Sequence, residues 1–305
     1  MIKRTVEISR KPTYLTVHYG QMLVQSGTET VGTIPCEDIG MVVVDQPRTT
    51  YTHAALLGLA DCGAVLVVCG KNHLPAAMLL PLADHSEVVW RIAEQVAVRK
   101  PLRKQLWRQL VRAKIRAQAV NLPQGCPARQ KLQELAKTVR SGDPTNVEAQ
   151  AARLYWHNWL SDDAFRRDTE AAGVNALLNY GYAIIRAAVA RALVAGGLLP
   201  VLGLFHSNRS NAFCLADDLM EPLRPLVDAR VQRLSRDGHQ DLKPETKAGL
   251  LGLLADPVRL GTRRGPLMIG LHRMVASLVR CYQGESDRLE IPHACSLADT
   301  DACGS

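Results

Sequence analysis

The sequence predicts an α+β protein in which a β-rich N-terminal domain is followed by a larger all-α domain. Up to about residue 83, apolar residues alternate with polar ones or form short continuous runs, as they do in strands, and from Ser86 onward their spacing is helical. The 305 residues are enough for two domains. We therefore predict a β-rich platform or dimerisation domain over 1–83, a linker over 84–87, a helical domain over 88–290 and a frayed tail over 291–305.

The N-terminal elements follow from short patterns. Residues 13–19 and 21–25 alternate with the period of a half-buried strand. The runs 41–44 and 64–68 are continuously apolar, which is typical of strands buried on both faces. The residues between these runs, 52–62, predict a short helix. No acidic cluster or phosphate-cradling glycine loop occurs in this half of the chain, so we expect the chemistry to lie in the second half.

A row of positive charge marks the helix that is predicted over residues 99–116. The cations recur every fourth residue, and no acidic residue interrupts the segment. The row consists of Lys100, Lys104, Arg108, Arg112 and Arg116. A helix that needed only solubility would usually alternate such cations with glutamates. We therefore interpret the row as a phosphate-contacting surface rather than a merely solvated face, with Arg103 and Lys114 adding charge.

The next informative helix carries an acidic residue near its start. Asp143 is suited to cap the helix and Pro144 to occupy its first position. Glu148 follows beside small alanine neighbours, which would let another segment approach its carboxylate closely. An acid in a first turn can also simply stabilise the helix dipole.

A histidine and three acidic residues lie close together later in the chain. His206 occupies a loop after an apolar run. Asp217 and Glu221 are four residues apart, so on one helix they share a face, whereas Asp218 points about a third of a turn away and could cap or form an ion pair. Pro222 predicts that this helix kinks or ends soon after Glu221.

These side chains together predict a site for a divalent cation. Glu148, His206 and the carboxylates that follow the histidine would supply a mixed set of nitrogen and oxygen ligands, which suits Mn²⁺ or Mg²⁺. A lone histidine after an apolar run is more often a core or loop residue, and it is the neighbouring carboxylates that favour a ligand. His206 could alternatively act as a general base while the acids alone hold the metal.

The remaining elements are helical apart from one loop. A helix is predicted from Lys243 to Leu254, and an amphipathic helix over 267–282. Residues 260–266 read as a basic loop, in which Arg263 and Arg264 are further candidates for DNA contacts.

Composition and charge restrict the possible partners and the location of the protein. A net charge of +8 and a pI near 9.2 favour a polyanionic partner, either nucleic acid or an anionic membrane surface. The longest apolar stretches, near Val42 and Leu198, are too short to cross a bilayer. The eight cysteines form no CxxC pair and no apolar run follows Met1, so we expect reduced thiols, no zinc ribbon and a cytoplasmic location.

Three sequence motifs, taken in their order along the chain, resemble those of a known protein family. They are GDPTNVEAQAARLY over 142–155, NALLNYGYAI over 175–184 and LFHSNRSNAFCLADDLMEPLRP over 204–225. With these motifs the chain resembles the CRISPR-associated integrases of the adaptation machinery, and the spacing of the last motif is similar to members from loci with a single-subunit RNA-guided effector nuclease. The resemblance covers nearly the whole chain, with the β-rich start matching the N-terminal domain and residues from about 88 matching the helical catalytic domain of the family.

The resemblance implies an activity and a set of metal ligands. Members of the family are metal-dependent endonucleases that join the 3′-hydroxyl ends of short DNA fragments to the repeat of a CRISPR array. Matching the motifs residue by residue implies that Glu148, His206 and Glu221 bind the catalytic metal. Other branches carry an aspartate earlier on the last helix, which here would be Asp217, so Asp217 remains a second choice or an outer-shell group.

The resemblance also implies partners. The family works as a homodimer on double-stranded DNA, with two dimers flanking a dimer of a small ferredoxin-like adaptation subunit, and whether the effector nuclease must also be present is left open. The sequence leaves two other functions open. One is a non-catalytic, basic DNA-binding scaffold of the same fold, and the other is a metal-dependent hydrolase of small phosphoesters, against which the helix-long row of cations argues.

Overall fold

The computed structural model describes residues 3–82, 85–160 and 165–295. Its first third consists of strands with one helix. The strands are β1 (Arg4–Ile8), β2 (Tyr14–His18), β3 (Gln21–Ser26), β4 (Glu29–Pro35), β5 (Ile39–Val44), β6 (Thr50–Tyr51), β7 (Val65–Cys69) and β8 (Pro75–Leu79), and the helix is α1 (His53–Asp61). The strands predicted over 13–19, 21–25, 41–44 and 64–68, and the helix predicted over 52–62, are thereby confirmed.

These strands form two four-stranded sheets. One has the order β1-β5-β7-β8, in which β1, β5 and β7 are parallel, and the other has the order β4-β3-β2-β6. All six residues of β5 are buried, because alternate side chains enter different cores. Val42 and Val44 lie in the N-terminal core, whereas Met41 and Val43 pack into the core of the helical part. The central strands are thus buried on both faces, as their continuous apolar runs predict.

The rest of the described chain is mostly helical. Its helices are α2 (Val88–Ala97), α3 (Lys100–Asn121), α4 (Pro127–Thr138), α5 (Val147–Trp159), α6 (Val174–Ala195), α7 (Cys214–Met220), α8 (Arg224–Arg236), α9 (Pro244–Leu251) and α10 (Leu267–Tyr282). A turn of 3₁₀ helix, Glu221–Leu223, joins α7 to α8. The α+β class, with a β-rich start and a helical remainder, is confirmed.

A small sheet interrupts the helical part and corrects one local prediction. Residues 260–266 were expected to form a basic loop, but β9 (Pro257–Leu260) and β10 (Arg263–Pro266) pair as an antiparallel hairpin. A third strand, β11 (His293–Ala294), pairs with the other side of β9. The hairpin escapes prediction because its second strand is Arg-Arg-Gly-Pro, a composition typical of loops.

Two boundaries also differ from the prediction. Helix α5 begins at Val147 rather than at Pro144, because Pro144 to Asn146 form a turn before it. Residues 291–295 were expected to belong to a frayed tail, but Ile291 is buried and β11 is paired with β9. The remainder of that predicted tail, 296–305, and two residues around the predicted linker, 83–84, lie outside the described residues.

Helix α6 is the central element of the helical core. It is the one helix of the described residues that is long and apolar enough to cross a membrane, but 78% of its most apolar window is buried inside the protein. Side chains from α3, α5, α8 and α10 belong to the same core. Since neighbouring elements cover α6, it has the character of a core helix in a globular fold.

Candidate metal centre

Glu148 is placed by the capping of α5. The carboxylate of Asp143 accepts hydrogen bonds from the backbone N–H groups of Val147 and Glu148, each at 2.9 Å. Asp143 therefore caps the helix as predicted, although it does so across the intervening turn. The side chain of Glu148 lies in the first turn of α5 and is 25% exposed.

Glu221 is placed by the break between α7 and α8. The helix ends at Met220, so the predicted interruption near Pro222 is confirmed. Glu221 begins the 3₁₀ turn, and its side chain is only 6% exposed. Burial alone would raise the pKa of Glu221, but the nearby charges of Arg224 and Lys114 outweigh it and lower the pKa to about 2. The carboxylate is thus ionised, and its Oε1 accepts a hydrogen bond from Arg224 Nε at 2.8 Å.

Lys114 joins the two glutamates. Its Nζ lies 2.5 Å from Glu148 Oε1 and 2.5 Å from Glu221 Oε2. Burial lowers the pKa of Lys114, but the two carboxylates more than offset this and raise the pKa above its usual value. Two of the three predicted metal ligands, which are 73 residues apart in the sequence, therefore converge on one cationic atom.

This role of Lys114 was not predicted from the sequence, in which Lys114 counts as an additional charge of a basic helix. The signal that could have found it is its register on α3. Lys114 follows Leu106 and Leu110 at intervals of four residues, so it lies on the buried face of the helix, away from the predicted row of cations. A lysine on an apolar face requires a buried partner.

His206 is held against α3 by the loop after Gly203. Arg103 donates hydrogen bonds to the carbonyl oxygens of Gly203 at 2.6 Å and of Leu204 at 3.3 Å. Phe205 stacks in parallel on Trp107, with ring centroids 4.3 Å apart, and His206 meets Trp107 edge-on at 5.7 Å. Polar and aromatic contacts therefore fix the residues that precede the histidine, and the ring of His206 itself, against α3.

Asp218 orients the imidazole. Its Oδ1 lies 2.6 Å from His206 Nδ1, and the same carboxylate accepts hydrogen bonds from the backbone N–H groups of Leu204, Phe205 and His206. The hydrogen bond to Asp218 raises the pKa of His206 in spite of partial burial, with further contributions from the charges of Asp218, Glu221 and Asp217. A histidine fixed by a carboxylate at Nδ1 presents Nε2 to a ligand, as metal-binding histidines commonly do.

Asp217 lies apart from these contacts. Its Oδ2 accepts a hydrogen bond from Asn211 at 2.7 Å, and its Oδ1 is 3.8 Å from Arg186. Of the two adjacent aspartates, it is Asp218 and not Asp217 that contacts the predicted histidine ligand. Asp217 as a second-choice metal ligand stays a prediction.

The donor set fits a divalent cation in chemistry, although the side chains are not gathered into one cluster. In the described ranges no three His, Cys, Asp or Glu side chains lie close enough to hold a metal ion together. The arrangement comprises two neighbouring pairs instead, Glu148 with Glu221 around an ammonium group, and His206 with Asp218. Two carboxylates converge on a cation, and the charge of one of them, Glu221, also raises the pKa of His206. Carboxylate and imidazole are the oxygen and nitrogen ligands that suit Mn²⁺ or Mg²⁺.

The predicted DNA-contacting cations lie on α3 and on the β9–β10 hairpin. On α3, Lys100, Lys104 and Arg116 are exposed, while Arg108 and Arg112 are half-buried. Burial, and then the neighbouring arginines, lower the pKa of Arg112, so positive charge is crowded along this helix.

The two basic segments meet in one groove. Arg116 of α3 and Arg264 of β10 both line a cavity of about 580 Å³, together with Arg230 and Arg233 of α8. Arg263 is exposed on the same hairpin. The structure thus brings together cations that the sequence separates by about 150 residues.

The seven cysteines in the described ranges form no disulfides, and Cys303 lies outside those ranges.

Comparison with known proteins gives consistent results. The family model described as "CRISPR associated protein Cas1" matches residues 6–251. Among similar proteins is the CRISPR-associated endonuclease Cas1 of Neisseria meningitidis serogroup C (strain 8013). It is 39% identical over 267 residues, which cover 86% of this chain and 87% of that protein.

Solved structures share the fold. A casposase bound to integration product superimposes with a TM-score of 0.77 at 18% identity, covering 98% of both chains. A chain of a Cas6-RT-Cas1–Cas2 complex gives a TM-score of 0.73 at 16% identity, covering 95% of this chain and 36% of that one. At these identities the two similarities establish the fold alone.

Proposed function

Since the chain belongs to the Cas1 family of CRISPR-associated proteins, we propose that it is a metal-dependent integrase of CRISPR adaptation. In this reaction the 3′-hydroxyl ends of short DNA fragments attack phosphodiester bonds in the repeat of a CRISPR array. The observation that carries the proposal is the convergence of Glu148 and Glu221 on one cationic position. The name of the Neisseria relative, an endonuclease, supports the class of reaction.

Glu148, Glu221 and His206 would hold the metal. The two carboxylates already share a cation, and Asp218 fixes the imidazole of His206 through Nδ1 so that Nε2 is available. When bound, Mn²⁺ or Mg²⁺ would lower the pKa of the attacking hydroxyl and neutralise charge on the phosphate oxygens. Because one ligand is an imidazole, we expect manganese to bind more tightly than magnesium.

Other residues would position the DNA. The exposed cations of α3 and of the β9–β10 hairpin offer a track for the phosphate backbone, which fixes the position of a duplex without reading its sequence. Arg103, Phe205 and Trp107 hold the His206 loop against α3, and so they keep the imidazole at a fixed place relative to that track.

The proposed partners follow from the family and from the neighbouring structures. One neighbour is bound to an integration product and another belongs to a complex that contains Cas2. We accordingly propose that this chain forms a homodimer, binds double-stranded DNA and assembles with a small adaptation subunit of the Cas2 type.

A strand-transfer assay tests the proposal. The purified protein and the small subunit are incubated with short duplexes and a supercoiled plasmid that carries a repeat, in Mn²⁺, Mg²⁺ or a chelator. We expect joined products only with 3′-hydroxyl ends and a divalent metal, and none from duplexes with dideoxy ends. Glu148→Gln and His206→Ala should abolish joining, whereas Lys131→Gln, on an exposed residue of α4, should leave it intact.

Two outcomes would contradict the proposal. Joining that persists in chelator, or in both site variants, would remove the metal centre from the reaction. DNA binding without joining under every condition would favour the alternative function, a non-catalytic DNA-binding scaffold of the same fold.

A further inference from the structure

Lys114 occupies the point between the two glutamates. It lies in the middle of α3, and its side chain is 10% exposed. Its partners come from α5 and from the 3₁₀ turn after α7, which are 34 and 107 residues away in the sequence. Three separate segments are therefore held together by one ammonium group.

The reason for a cation at this point is electrostatic. Two ionised carboxylates in a partly buried site repel each other, and an unpaired buried charge is costly. Glu221 is also paired with Arg224 through its other oxygen, so the ammonium of Lys114 is the cation that Glu148 and Glu221 share. A divalent ion bound by the same two carboxylates would have to occupy the position of the Lys114 ammonium.

We propose that Lys114 is an exchangeable counter-ion of this centre, which holds Glu148 and Glu221 in position without metal and is displaced when a divalent cation binds. The inference rests on the metal site of the proposed function. It also explains why the described side chains form two pairs and not one ligand cluster. Lysine suits the role because its ammonium is a compact charge on a flexible four-carbon stem.

The structure contains a place that can receive the displaced ammonium. A cavity of about 240 Å³ adjoins Lys114 and is lined also by Gln118 and Asp228. Gln118 lies one helical turn further along α3, it is 3% exposed, and its Oε1 is buried without a hydrogen-bond partner. An unpaired buried acceptor is uncommon and costly, and this one lies one helical turn from Lys114.

The charges around this cavity are mixed. Arg167 and Arg224 also line it and would repel a second ammonium, but Arg224 is already paired with Glu221 and lies over the Tyr182 ring. Asp228 supplies a carboxyl group on the same wall. Lys114 would therefore exchange two carboxylates for an amide oxygen and a carboxyl group when metal takes its place.

Calorimetric titration of Mn²⁺ into the full chain without DNA tests the exchange. Lys114→Met keeps the length of the stem and removes the competing charge, so we expect a Kd for Mn²⁺ roughly tenfold lower than in wild type, equivalent to about 1.4 kcal/mol. The metal-free Tm should fall, and the rise of Tm on adding Mn²⁺ should be larger. Lys131→Met, which changes an exposed lysine of α4, should match wild type in all three quantities. Unchanged or weaker Mn²⁺ binding by Lys114→Met would overturn the inference.

Gln118→Met tests whether Gln118 accepts the displaced ammonium of Lys114. Removing the acceptor should raise the Kd for Mn²⁺ several-fold in the wild-type background and leave it unchanged in the Lys114→Met background. An equal effect in both backgrounds would show that Gln118 does not act through Lys114. If Lys114→Met does not fold, Gln118→Met still decides the question, because Mn²⁺ affinity equal to wild type would overturn the exchange.

The same titrations separate this inference from the proposed function. If wild-type protein and every variant fail to bind Mn²⁺, both the proposed metal centre and the proposed exchange are ruled out. If wild type binds Mn²⁺ and Lys114→Met binds it no more tightly, only the exchange is overturned.

Discussion

His206 and Asp218 form a pair in which the imidazole Nδ1 lies 2.6 Å from the carboxylate Oδ1. Asp218 is fully buried, and it also accepts backbone hydrogen bonds from the loop that carries the histidine. One carboxylate therefore sets both the course of the loop and the direction of the ring. In the proposed metal centre, Asp218 would act through His206, whereas Asp217 contacts Asn211 and Arg186 and not the imidazole.

Asp218→Asn tests this difference. Loss of the carboxylate should free the ring and weaken both Mn²⁺ binding and strand transfer by about 10–100-fold, the range found when partners of metal-binding histidines are removed. Asp217→Asn should change both quantities less than Asp218→Asn does, because Asp217 contacts Asn211 and Arg186 and not the imidazole. Titration calorimetry and the plasmid assay measure both effects. A larger loss in Asp217→Asn would make Asp217 the third ligand.

Substitution of Glu148 or of Glu221 should impair activity equally, but the two substitutions should lower the stability of the protein by different amounts. Each conservative change to glutamine should lower strand transfer by at least about 100-fold, because each removes a charge from the proposed metal ligands. Glu221→Gln leaves Lys114 and Arg224 facing each other in a buried site, and should cost about 3–5 kcal/mol of unfolding free energy. Glu148→Gln should cost less, because Glu148 is more exposed and Lys114 keeps Glu221 as a partner.

Urea unfolding of the two variants provides the measurement. The matched control is Glu134→Gln on α4, an exposed partner of Lys131, which should lose less than about 1 kcal/mol. Equal losses of stability in Glu148→Gln and Glu221→Gln would show that the burial of Glu221 does not decide the energy of the pair.

The exposed cations of α3 should act through phosphate contacts. Changing both Lys100 and Lys104 to glutamine should lower affinity for duplex DNA and reduce the slope of log K against log salt by about 1.8, or about 0.9 for each lost contact. Measurements of fluorescence anisotropy at several salt concentrations give the slope. The paired change of Lys131 and Lys137, two exposed lysines of α4, is the control, and an equal effect there would indicate general charge attraction and not a track along α3.

Local patterns in the sequence predicted much of this structure. The alternation over 13–19, the continuous run 41–44 and the prolines after Glu221 each act within a few residues, so they could be read without knowing the fold. The donor types predicted that Glu148 and the carboxylates after His206 share one site, but only the family resemblance favoured Glu221 over Asp217, since periodicity places each residue on its own helix and says nothing about how the helices pack.

Long-range pairing explains what the sequence did not predict. Lys114 lies in a run of cations, and its partners are 34 and 107 residues away, so no residue next to it in the sequence indicates an ion pair. Strand β10 has the composition of a loop, and it pairs with β9, whose other side pairs with β11 from near the end of the described chain. Asp218 was considered for capping or ion pairing, but the histidine as its partner became visible only when the loop was folded back onto α7.

Asp228 should give the protein a measurable dependence of stability on pH. Its carboxyl group is 1% exposed and accepts hydrogen bonds from the hydroxyl groups of Tyr155 and Tyr182. Burial is the largest influence and raises the pKa of Asp228 to about 7, although the tyrosines and the charges of Arg224 and Lys114 oppose it.

The sign of the effect follows from proton linkage. The folded protein holds the proton of Asp228 more tightly than the unfolded chain does, so the stabilisation is complete below the unfolded pKa of about 4 and is lost as pH rises through about 7. Asp228→Asn removes this titration while keeping the shape of the side chain. Between pH 5 and pH 8, wild type should lose roughly 2–3 kcal/mol of unfolding free energy relative to Asp228→Asn.

Urea unfolding at pH 5, 6, 7 and 8 measures this difference. The control is Asp241→Asn, which changes an exposed carboxylate and should follow wild type across the range. Parallel curves for wild type and Asp228→Asn would mean that the carboxyl is already ionised at pH 5, held by the two tyrosines and the nearby cations. A difference that grows from pH 5 and levels off above about pH 7 is the result that burial requires, because the unfolded chain is ionised over this range while the folded carboxyl keeps its proton.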